Sequence, residues 1–189
     1  MANEKNIVNK IINLLEKGKI LIFPTDTVYG LVADACNIKA IKKIFKIKKR
    51  NAAKPLPFFI ADLKAAKKLA KINRFQEKFL NRVWPGRVTA VLETIDGKDT
   101  VALRIPDFPL LLRVLKKSKM VLAQTSANIS GEPASGKINE ILSEFKNQEN
   151  QPDAAIHAGD LPECQSSTII DLTKINPRIL RNGSVRIKI

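Results

Sequence analysis

The segment Phe23-Pro-Thr-Asp-Thr-Val-Tyr-Gly-Leu31 follows the apolar run Lys19-Ile-Leu-Ile-Phe23 and places three hydroxyl groups, a carboxylate and a glycine directly after it. The run predicts a buried β-strand over 20–23, which the following proline ends. In open α/β sheets, ligands bind at the carboxyl ends of strands. We therefore expect this polar cluster to contact a small molecule. One alternative stays open, in which Thr25 or Asp26 only accepts backbone N–H groups at the start of a helix.

Helix and strand patterns alternate along the rest of the chain. Apolar periodicity predicts helices at 4–17, 38–47, 62–71, 74–83, 109–117 and 137–146, and strands at 57–61, 87–93, 100–104, 120–123, 154–157, 167–172 and 178–181. The turn Asp96-Gly97 joins two of these strands in a hairpin. Because strands that alternate with helices also include a hairpin, we expect an α/β fold with a twisted mixed sheet and flanking helices, as a single domain over 1–189.

The composition excludes several classes of protein. With 44% hydrophobic and 27% charged residues, and no apolar run near the roughly 20 residues of a membrane span, the chain is typical of a soluble globular protein. Residues 1–5 lack the layout of a signal peptide, so we expect a cytoplasmic protein without membrane contact. Cys36 and Cys164 lack metal-ligand spacing, and His157 is the only histidine. Zinc binding and catalysis by a Ser-His or Cys-His pair are therefore disfavoured.

Positive charge is concentrated in the first half of the chain. The net charge is +15, and residues 1–95 contain 20 Lys and Arg against 7 Asp and Glu, whereas residues 96–189 contain 13 against 11. Such an imbalance favours polyanionic partners such as nucleotides or RNA. The alternative is compositional, because 24 of the 33 basic residues are lysines in a chain that is also rich in Ile and Asn.

A second polar cluster, Thr125-Ser-Ala-Asn-Ile-Ser-Gly131, follows the strand predicted at 120–123. Five basic residues lie outside the predicted helix faces, namely Lys48, Arg50, Lys54, Arg104 and Arg181. Arginine offers a planar fork to phosphate oxygens and lysine a movable point charge, so this mixture suits a triphosphate. Neither of the usual glycine-rich nucleotide loops occurs. The residues alone thus predict a polyanion or nucleotide site, with turn-forming residues and a solvated basic loop as alternatives.

Seven short blocks run in order from residue 23 to residue 183. They are F-P-T-D-T-V-Y-G-L at 23–31, K-K-R-N-A-A-K-P-L at 48–56, W-P-G-R-V-T at 84–89, V-A-L-R-I-P at 101–106, T-S-A-N-I-S-G-E-P at 125–133, S-S-T-I-I-D-L at 166–172 and I-L-R-N-G at 179–183. In this order and spacing they resemble the YrdC/TsaC family, the threonylcarbamoyl-AMP synthases of tRNA modification. Arg87 and Asn182 depart from the family pattern, which usually has proline there. Because the chain ends at Ile189, it resembles the short, single-domain form.

The resemblance implies a role for each matched residue. The predicted catalytic residues match a Lys-x-Arg and Ser-x-Asn tetrad and are Lys48, Arg50, Ser126 and Asn128. Thr27 matches a hydroxyl that contacts threonine, and Arg104 matches a partner of the substrate carboxylate. The other residues predicted to bind the amino acid are Thr125, Ser166 and Ser167. The residues predicted to bind the nucleotide are Arg50, Lys54, Thr100, Ala127, Ser135 and Arg181.

The resemblance also implies a reaction. An L-threonylcarbamoyladenylate synthase is a nucleotidyltransferase that makes threonylcarbamoyl-AMP and pyrophosphate from L-threonine, bicarbonate or CO2, and ATP, for the N6-threonylcarbamoyladenosine (t6A) modification of tRNA. We expect ATP as a substrate and Mg²⁺ bound through its phosphates, without a metal site on the protein. The expected partners are a downstream threonylcarbamoyl-transferase complex and, as a further candidate, tRNA. The competing hypothesis is a non-catalytic RNA-binding paralogue that uses the basic surface.

Overall fold

A computed structural model describes residues 2–51 and 54–187 of the chain. Residues 52 and 53 of the basic block at 48–56, and the ends of the predicted domain 1–189, lie outside the described residues. The helices are α1 (Ala2–Glu16), α2 (Ile38–Lys48), α3 (Leu63–Leu69), α4 (Arg74–Val83), α5 (Pro109–Ser118) and α6 (Ile138–Lys146). The strands are β1 (Leu21–Phe23), β2 (Gly30–Asp34), β3 (Phe58–Phe59), β4 (Val88–Glu93), β5 (Thr100–Arg104), β6 (Leu122–Ser126), β7 (Ala154–Ala155), β8 (Thr168–Asp171) and β9 (Arg178–Arg181). No helix in these ranges is both long and apolar enough to span a membrane.

The nine strands of the described residues form one sheet in the order β7-β1-β2-β6-β3-β5-β4-β8-β9. Three neighbouring pairs are parallel, namely β1 with β7, β3 with β5 and β4 with β8. The other five pairs are antiparallel, and they include the predicted hairpin of β4 and β5. The predicted α/β fold with a mixed sheet and flanking helices is therefore confirmed.

Helices cover both faces of the sheet around β1 and β2. In β1, Ile22 packs in one hydrophobic core with residues of α2 and α6, whereas Leu21 and Phe23 pack in another with α1 and α5. This division follows from the alternation of side chains along a strand. A third core packs α3 and α4 against β4, β5 and β8. The half of the sheet that contains β4, β5 and β8 thus has a helical layer on one face, where this third core lies.

Strand β2 was not predicted, and β6 is longer and later than predicted. β2 lies between β1 and β6 with helices packed on both faces, so its residues are mostly buried. A strand buried on both faces lacks the alternation of apolar and polar residues that marks a half-exposed one. The strand predicted at 120–123 runs over Leu122–Ser126, where Thr125 and Ser126 pair with Leu31 and Gly30 of β2. The start of the second polar cluster is therefore part of the sheet.

Strands β4, β5 and β8 have a second face, opposite the third core, on which α3 and α4 do not pack. Ala90, Leu103 and Ile170 belong to that core, whereas their sequence neighbours Val91, Ala102 and Ile169 line a cavity on the opposite face. The segment 25–30, which follows β1, also lines this cavity. The polar cluster of the first block thus borders a cavity whose floor is a sheet face.

Candidate active site

Two adjoining cavities meet at Arg50 and Ser126, which line both of them. The first, here called the sheet cavity, has a volume of about 280 Å³ and lies over the open sheet face. The second, here called the loop cavity, has a volume of about 240 Å³. Its wall contains the basic loop after α2 and the segment that follows β6. Two chemically different compartments therefore share one boundary.

The segment after β1 forms a hydrogen-bonded turn at the sheet cavity. The Thr25 hydroxyl donates to the carbonyl oxygen of Val28 at 2.7 Å and accepts the backbone N–H of Thr27 at 3.1 Å. The hydroxyls of Thr25 and Thr27 lie 3.0 Å apart, and both side chains are buried. Thr25 does satisfy a backbone N–H, as the alternative proposed, but β2 rather than a helix follows the turn. The turn fixes the Thr27 hydroxyl at the cavity wall.

Arg104 is a buried cation at the same wall. Its Nε donates to the carbonyl oxygen of Gly86 at 2.9 Å, its Nη1 to the Thr27 hydroxyl at 3.3 Å, and its Nη2 to Asp26 Oδ1 at 2.6 Å. The guanidinium also lies over the ring of Phe59, 5.6 Å from the ring centre. Burial lowers the pKa of Arg104, and the charge of Asp26 opposes that shift. Asp26 was not among the predicted site residues, although it lies inside the first block beside Thr27.

Arg181 enters the sheet cavity from β9 and is anchored to Ser167. Its Nη2 donates to the Ser167 carbonyl oxygen at 2.7 Å and lies 3.3 Å from the Ser167 hydroxyl, which is also 2.9 Å from the hydroxyl of Thr89. Burial lowers the pKa of Arg181, and the charges of Arg104 and Arg50 lower it further. Three guanidinium groups therefore line one cavity, and an anionic ligand would relieve their repulsion.

Lys48 is a buried lysine at the loop cavity. Its Nζ donates to the carbonyl oxygens of Ser126 and Asn128 at 2.8 and 2.7 Å and to the side-chain oxygen of Asn128 at 2.9 Å. Burial and, to a smaller extent, the charge of Arg50 lower the pKa of Lys48 to about 8, and the charge of Glu144 opposes the shift. An ammonium group has three N–H donors. Lys48 therefore holds the segment 126–128 with all three of them while it lines the cavity.

Arg50 lies at the boundary between the two cavities. Its Nε donates to the carbonyl oxygen of Lys54 at 3.2 Å and its Nη2 to that of Pro55 at 3.3 Å. Burial lowers the pKa of Arg50. These two contacts orient the guanidinium along the loop, so that its charge lies beside both compartments.

The structure brings most of the predicted site residues together. The predicted residues that line the sheet cavity are Thr27, Arg50, Arg104, Thr125, Ser126, Ser166, Ser167 and Arg181. Those that line the loop cavity are Lys48, Arg50, Lys54, Ser126 and Asn128. Tyr29, Pro57 and Gln124 also line the sheet cavity without having been predicted. Tyr29 lies in the first block, and this position was the only sequence feature that pointed to it. Pro57 directly follows the block 48–56 and Gln124 directly precedes the block 125–133, so no matched block pointed to either residue.

Three predicted nucleotide-binding residues line neither cavity. Thr100 shares a face of β5 with Ala102 and Arg104, because side chains alternate along a strand, but it is exposed at the far end. Ala127 is buried and donates its backbone N–H to the carbonyl oxygen of Tyr29. Ser135 donates its hydroxyl to the Glu140 carboxylate at the start of α6. The nucleotide-binding roles of these three residues therefore stay predictions.

The sequence model of the Sua5/YciO/YrdC family, described as "Telomere recombination", matches residues 13–183. This range includes every residue that lines the two cavities. The chain belongs to the Sua5/YciO/YrdC family. The YrdC resemblance that the sequence blocks indicated is therefore confirmed.

Relatives in the Sua5/YciO/YrdC family include threonylcarbamoyl-AMP synthases. That of Pyrococcus abyssi is 36% identical over 180 residues, which are 90% of this chain and 52% of the relative. That of Bacillus subtilis is 32% identical over 182 residues, which are 91% of this chain and 52% of the relative. The chain thus spans about half the length of these two relatives. Among solved structures, P. abyssi Sua5 complexed with L-threonine has a TM-score of 0.85 at 35% identity, over 93% of this chain and 54% of that one.

Proposed function

We propose that the protein is an L-threonylcarbamoyladenylate synthase, a nucleotidyltransferase that converts L-threonine, bicarbonate or CO2, and ATP into threonylcarbamoyl-AMP and pyrophosphate. The observation that carries this proposal is the junction of two cation-lined cavities at Arg50 and Ser126. A reaction that joins an amino acid to a nucleotide needs two compartments with a common boundary. The identity to named synthases and the likeness to a Sua5 structure with L-threonine support the same reaction.

In this proposal the sheet cavity takes L-threonine. Arg104 would bind the substrate carboxylate from a guanidinium that Asp26 and Gly86 already orient. The Thr27 hydroxyl, held by the turn after β1, would contact the threonine side chain. Ser166, Ser167 and Thr125 complete the wall of this compartment. The pre-formed contacts lower the entropy lost on binding, because few side chains have to be ordered.

The loop cavity would take the phosphates of ATP. Arg50 and Lys54 supply positive charge there, and the buried ammonium of Lys48 adds to it while holding the segment with Ser126 and Asn128. Phosphate oxygens are good acceptors for such charge-assisted hydrogen bonds. Arg181 would reach the nucleotide from the sheet cavity. ATP binding, like these roles, is part of the proposal.

The chemistry follows from this arrangement in two steps. The amine nitrogen of L-threonine forms a bond to the carbon of CO2 and loses a proton, which gives a carbamate. A carbamate oxygen then attacks the α-phosphorus of ATP in line, and the bond to the pyrophosphate oxygen breaks. No protein nucleophile is needed, so the side chains act by positioning and by neutralising charge on the phosphoryl group.

Magnesium would enter with ATP. Within residues 2–51 and 54–187, no group of three or more His, Cys, Asp and Glu side chains could hold a metal ion. Mg²⁺ commonly keeps several waters and binds substrate phosphates instead of an all-protein cage. The cations of the loop cavity would hold the phosphates themselves, and an Mg²⁺ ion bound to those phosphates and to water would neutralise charge on the leaving pyrophosphate.

The proposal includes a cellular role. The adenylate would supply a downstream threonylcarbamoyl-transferase complex that makes t6A in tRNA, and we propose a cytoplasmic location for this step. The excess of basic residues in 1–95 would allow tRNA to bind by charge. RNA binding alone is the competing function, and the following experiment separates the two.

The test is pyrophosphate release by the purified protein. We expect release only when ATP, Mg²⁺, L-threonine and bicarbonate are all present, because the carbamate is the nucleophile. Arg50→Ala should lower the rate by at least about tenfold, since a lost charge-assisted contact costs on the order of 1.5 to 3 kcal/mol. Lys43→Ala removes a positive charge that lines neither cavity and serves as the control. Folded protein that binds RNA but releases no pyrophosphate with all four components would overturn the proposal.

A further inference from the structure

The segment 126–131, which follows β6, is held from the α2 side by Lys48. Besides the three bonds of the Lys48 ammonium to Ser126 and Asn128, the backbone N–H of Ser130 donates to the Lys48 carbonyl oxygen at 2.9 Å. One residue at the end of α2 therefore contacts this segment through both its side chain and its backbone. Further support comes from the other side of the segment.

That support comes from Glu144 of α6. The backbone N–H of Ile129, between Asn128 and Ser130, donates to Glu144 Oε1 at 2.5 Å. Glu144 was not among the predicted site residues. Its helix is fixed, because Ile141 and Phe145 pack in the same hydrophobic core as residues of α2. α2 and α6 thus form one packed frame that holds the segment from two sides.

Glu144 also supplies the negative charge that Lys48 lacks among its hydrogen-bond partners. The three acceptors of the Lys48 ammonium are uncharged oxygens. The charges that act on it are Arg50 of the basic loop, which repels it, and Glu144. Lys54 lines the same cavity, and segment 126–131 contributes only uncharged side chains. Glu144 raises the pKa of Lys48 against the effects of burial and Arg50. A buried ammonium without an opposing charge loses its proton more readily.

We propose that Glu144 is a positioning residue for the loop cavity: its carboxylate anchors the segment that carries Ser126 and Asn128 and balances the buried ammonium of Lys48. As a role in catalysis, this inference rests on the proposed synthase function. Glu144 itself lines neither cavity, so it acts through Ile129 and Lys48 and not on the substrate. If Lys48 lost its proton, one of the three donors that hold the segment would be lost.

Two substitutions separate the hydrogen bond from the charge. Glu144→Gln keeps an oxygen that can accept the Ile129 N–H but removes the negative charge. Glu144→Ala removes both. Glu149→Gln removes one negative charge from an exposed residue five positions further along the chain, and it is the matched control. Native protein and all three variants are compared as full chains after circular dichroism shows that they fold.

The first readout is independent of activity. NMR of the Lys48 side-chain Cε resonance follows its protonation, and we expect a midpoint near pH 8 in the native protein and at least about half a unit lower in Glu144→Gln. Glu149→Gln should keep the native midpoint. An unchanged midpoint in Glu144→Gln would overturn the charge-balancing role, whether or not the protein is a synthase.

The second readout is pyrophosphate release between pH 6.5 and 8.5. Glu144→Gln should match the native rate at pH 6.5 and fall about threefold below it at pH 8.5, because a smaller fraction of Lys48 stays charged. Glu144→Ala should be about tenfold slower at pH 6.5, since the Ile129 N–H also loses its acceptor, and slower still at pH 8.5, because the charge is removed as well. A native rate in Glu144→Ala would overturn the anchoring role. Failure of the proposed function differs from both outcomes, because the native protein itself would then release no pyrophosphate.

Discussion

Arg104 and Lys48 are both buried cations, each with only 2% of its surface exposed, but the protein stabilises their charges differently. Arg104 has a carboxylate in direct contact, because its Nη2 and Asp26 Oδ1 lie 2.6 Å apart. Lys48 contacts three uncharged oxygens instead. The guanidinium at the sheet cavity is thus a fixed charge with a paired partner, whereas the ammonium at the loop cavity depends on dipoles and a more distant carboxylate.

The difference suits the chemistry proposed for each compartment. An arginine stays protonated at any ordinary pH, and its planar fork can hold a carboxylate in one orientation. A lysine titrates more readily when it is buried. We therefore expect the sheet cavity to keep its charge across the physiological range, whereas Lys48, with a pKa of about 8, should lose its charge as the pH rises past 8.

Breaking the Arg104 ion pair should have the largest effect on stability. Arg104→Met leaves the Asp26 carboxylate buried without its partner, so we expect the free energy of unfolding to fall by about 3 to 5 kcal/mol. Denaturant unfolding followed by circular dichroism measures this loss. Asp26→Asn added to Arg104→Met should recover part of it, because the uncompensated charge is then gone. A loss below about 1 kcal/mol for the single variant would show that Asp26 is well solvated without Arg104.

The stability contributed by Lys48 should depend on pH by a smaller amount. Lys48 has a pKa of about 8 in the folded protein against 10.5 for an ordinary lysine, so between these values the unfolded state binds more protons than the folded one. The free energy of unfolding, relative to Lys48→Met, should therefore rise by about 1 to 2 kcal/mol from pH 8 to pH 9.5 and stay level below pH 7. Unfolding at a series of pH values measures it. A difference that stays level would mean that Lys48 titrates normally, and one that falls would mean that its pKa is raised in the folded protein.

The sequence predicted which residues belong to the two cation sites better than it predicted their contacts. Lys48, Arg104, Ser126 and Asn128 lie in blocks with family-like spacing, so their presence in one site could be expected. The oxygens that Lys48 contacts could not be predicted. Those contacts depend on the pairing of β6 with β2, and β2 is a strand that the alternation of apolar and polar residues does not reveal. Glu144 is separated from every matched block, and only the packing of α6 brings it to Ile129.

The fold shows the same limit of local patterns. Helices with a clear apolar face, such as α4, and the half-buried hairpin strand β5 have the predicted bounds, because their periodicity is visible in sequence. The location of the sheet cavity depends on which face of β4, β5 and β8 the helices α3 and α4 cover. Packing between segments that are distant in the chain determines which face is covered, and the local patterns of one sequence do not predict it.

A surface ion pair provides the smallest expected effect and sharpens the contrast with Arg104. Lys43 Nζ lies 2.9 Å from Asp153 Oδ2, a distance similar to that of the buried pair, but its side chain is 37% exposed. Asp153 would also keep the backbone N–H of Ile20 as a donor at 2.8 Å. Lys43→Ala should therefore lower the free energy of unfolding by less than about 1 kcal/mol, because water screens the charge that remains.

The same denaturant experiment compares Lys43→Ala with Arg104→Met, and added salt should shrink the Lys43 effect further. Both variants remove one cation from an ion pair of short distance. The pairs differ in burial and in the further contacts of Arg104 to Gly86, Thr27 and Phe59. If burial controls the cost, the two losses should differ by at least about 2 kcal/mol. Equal losses would mean that the distance between the charges, and not their removal from water, controls the stability of both pairs, and the contrast between Arg104 and the surface lysines would have to be abandoned.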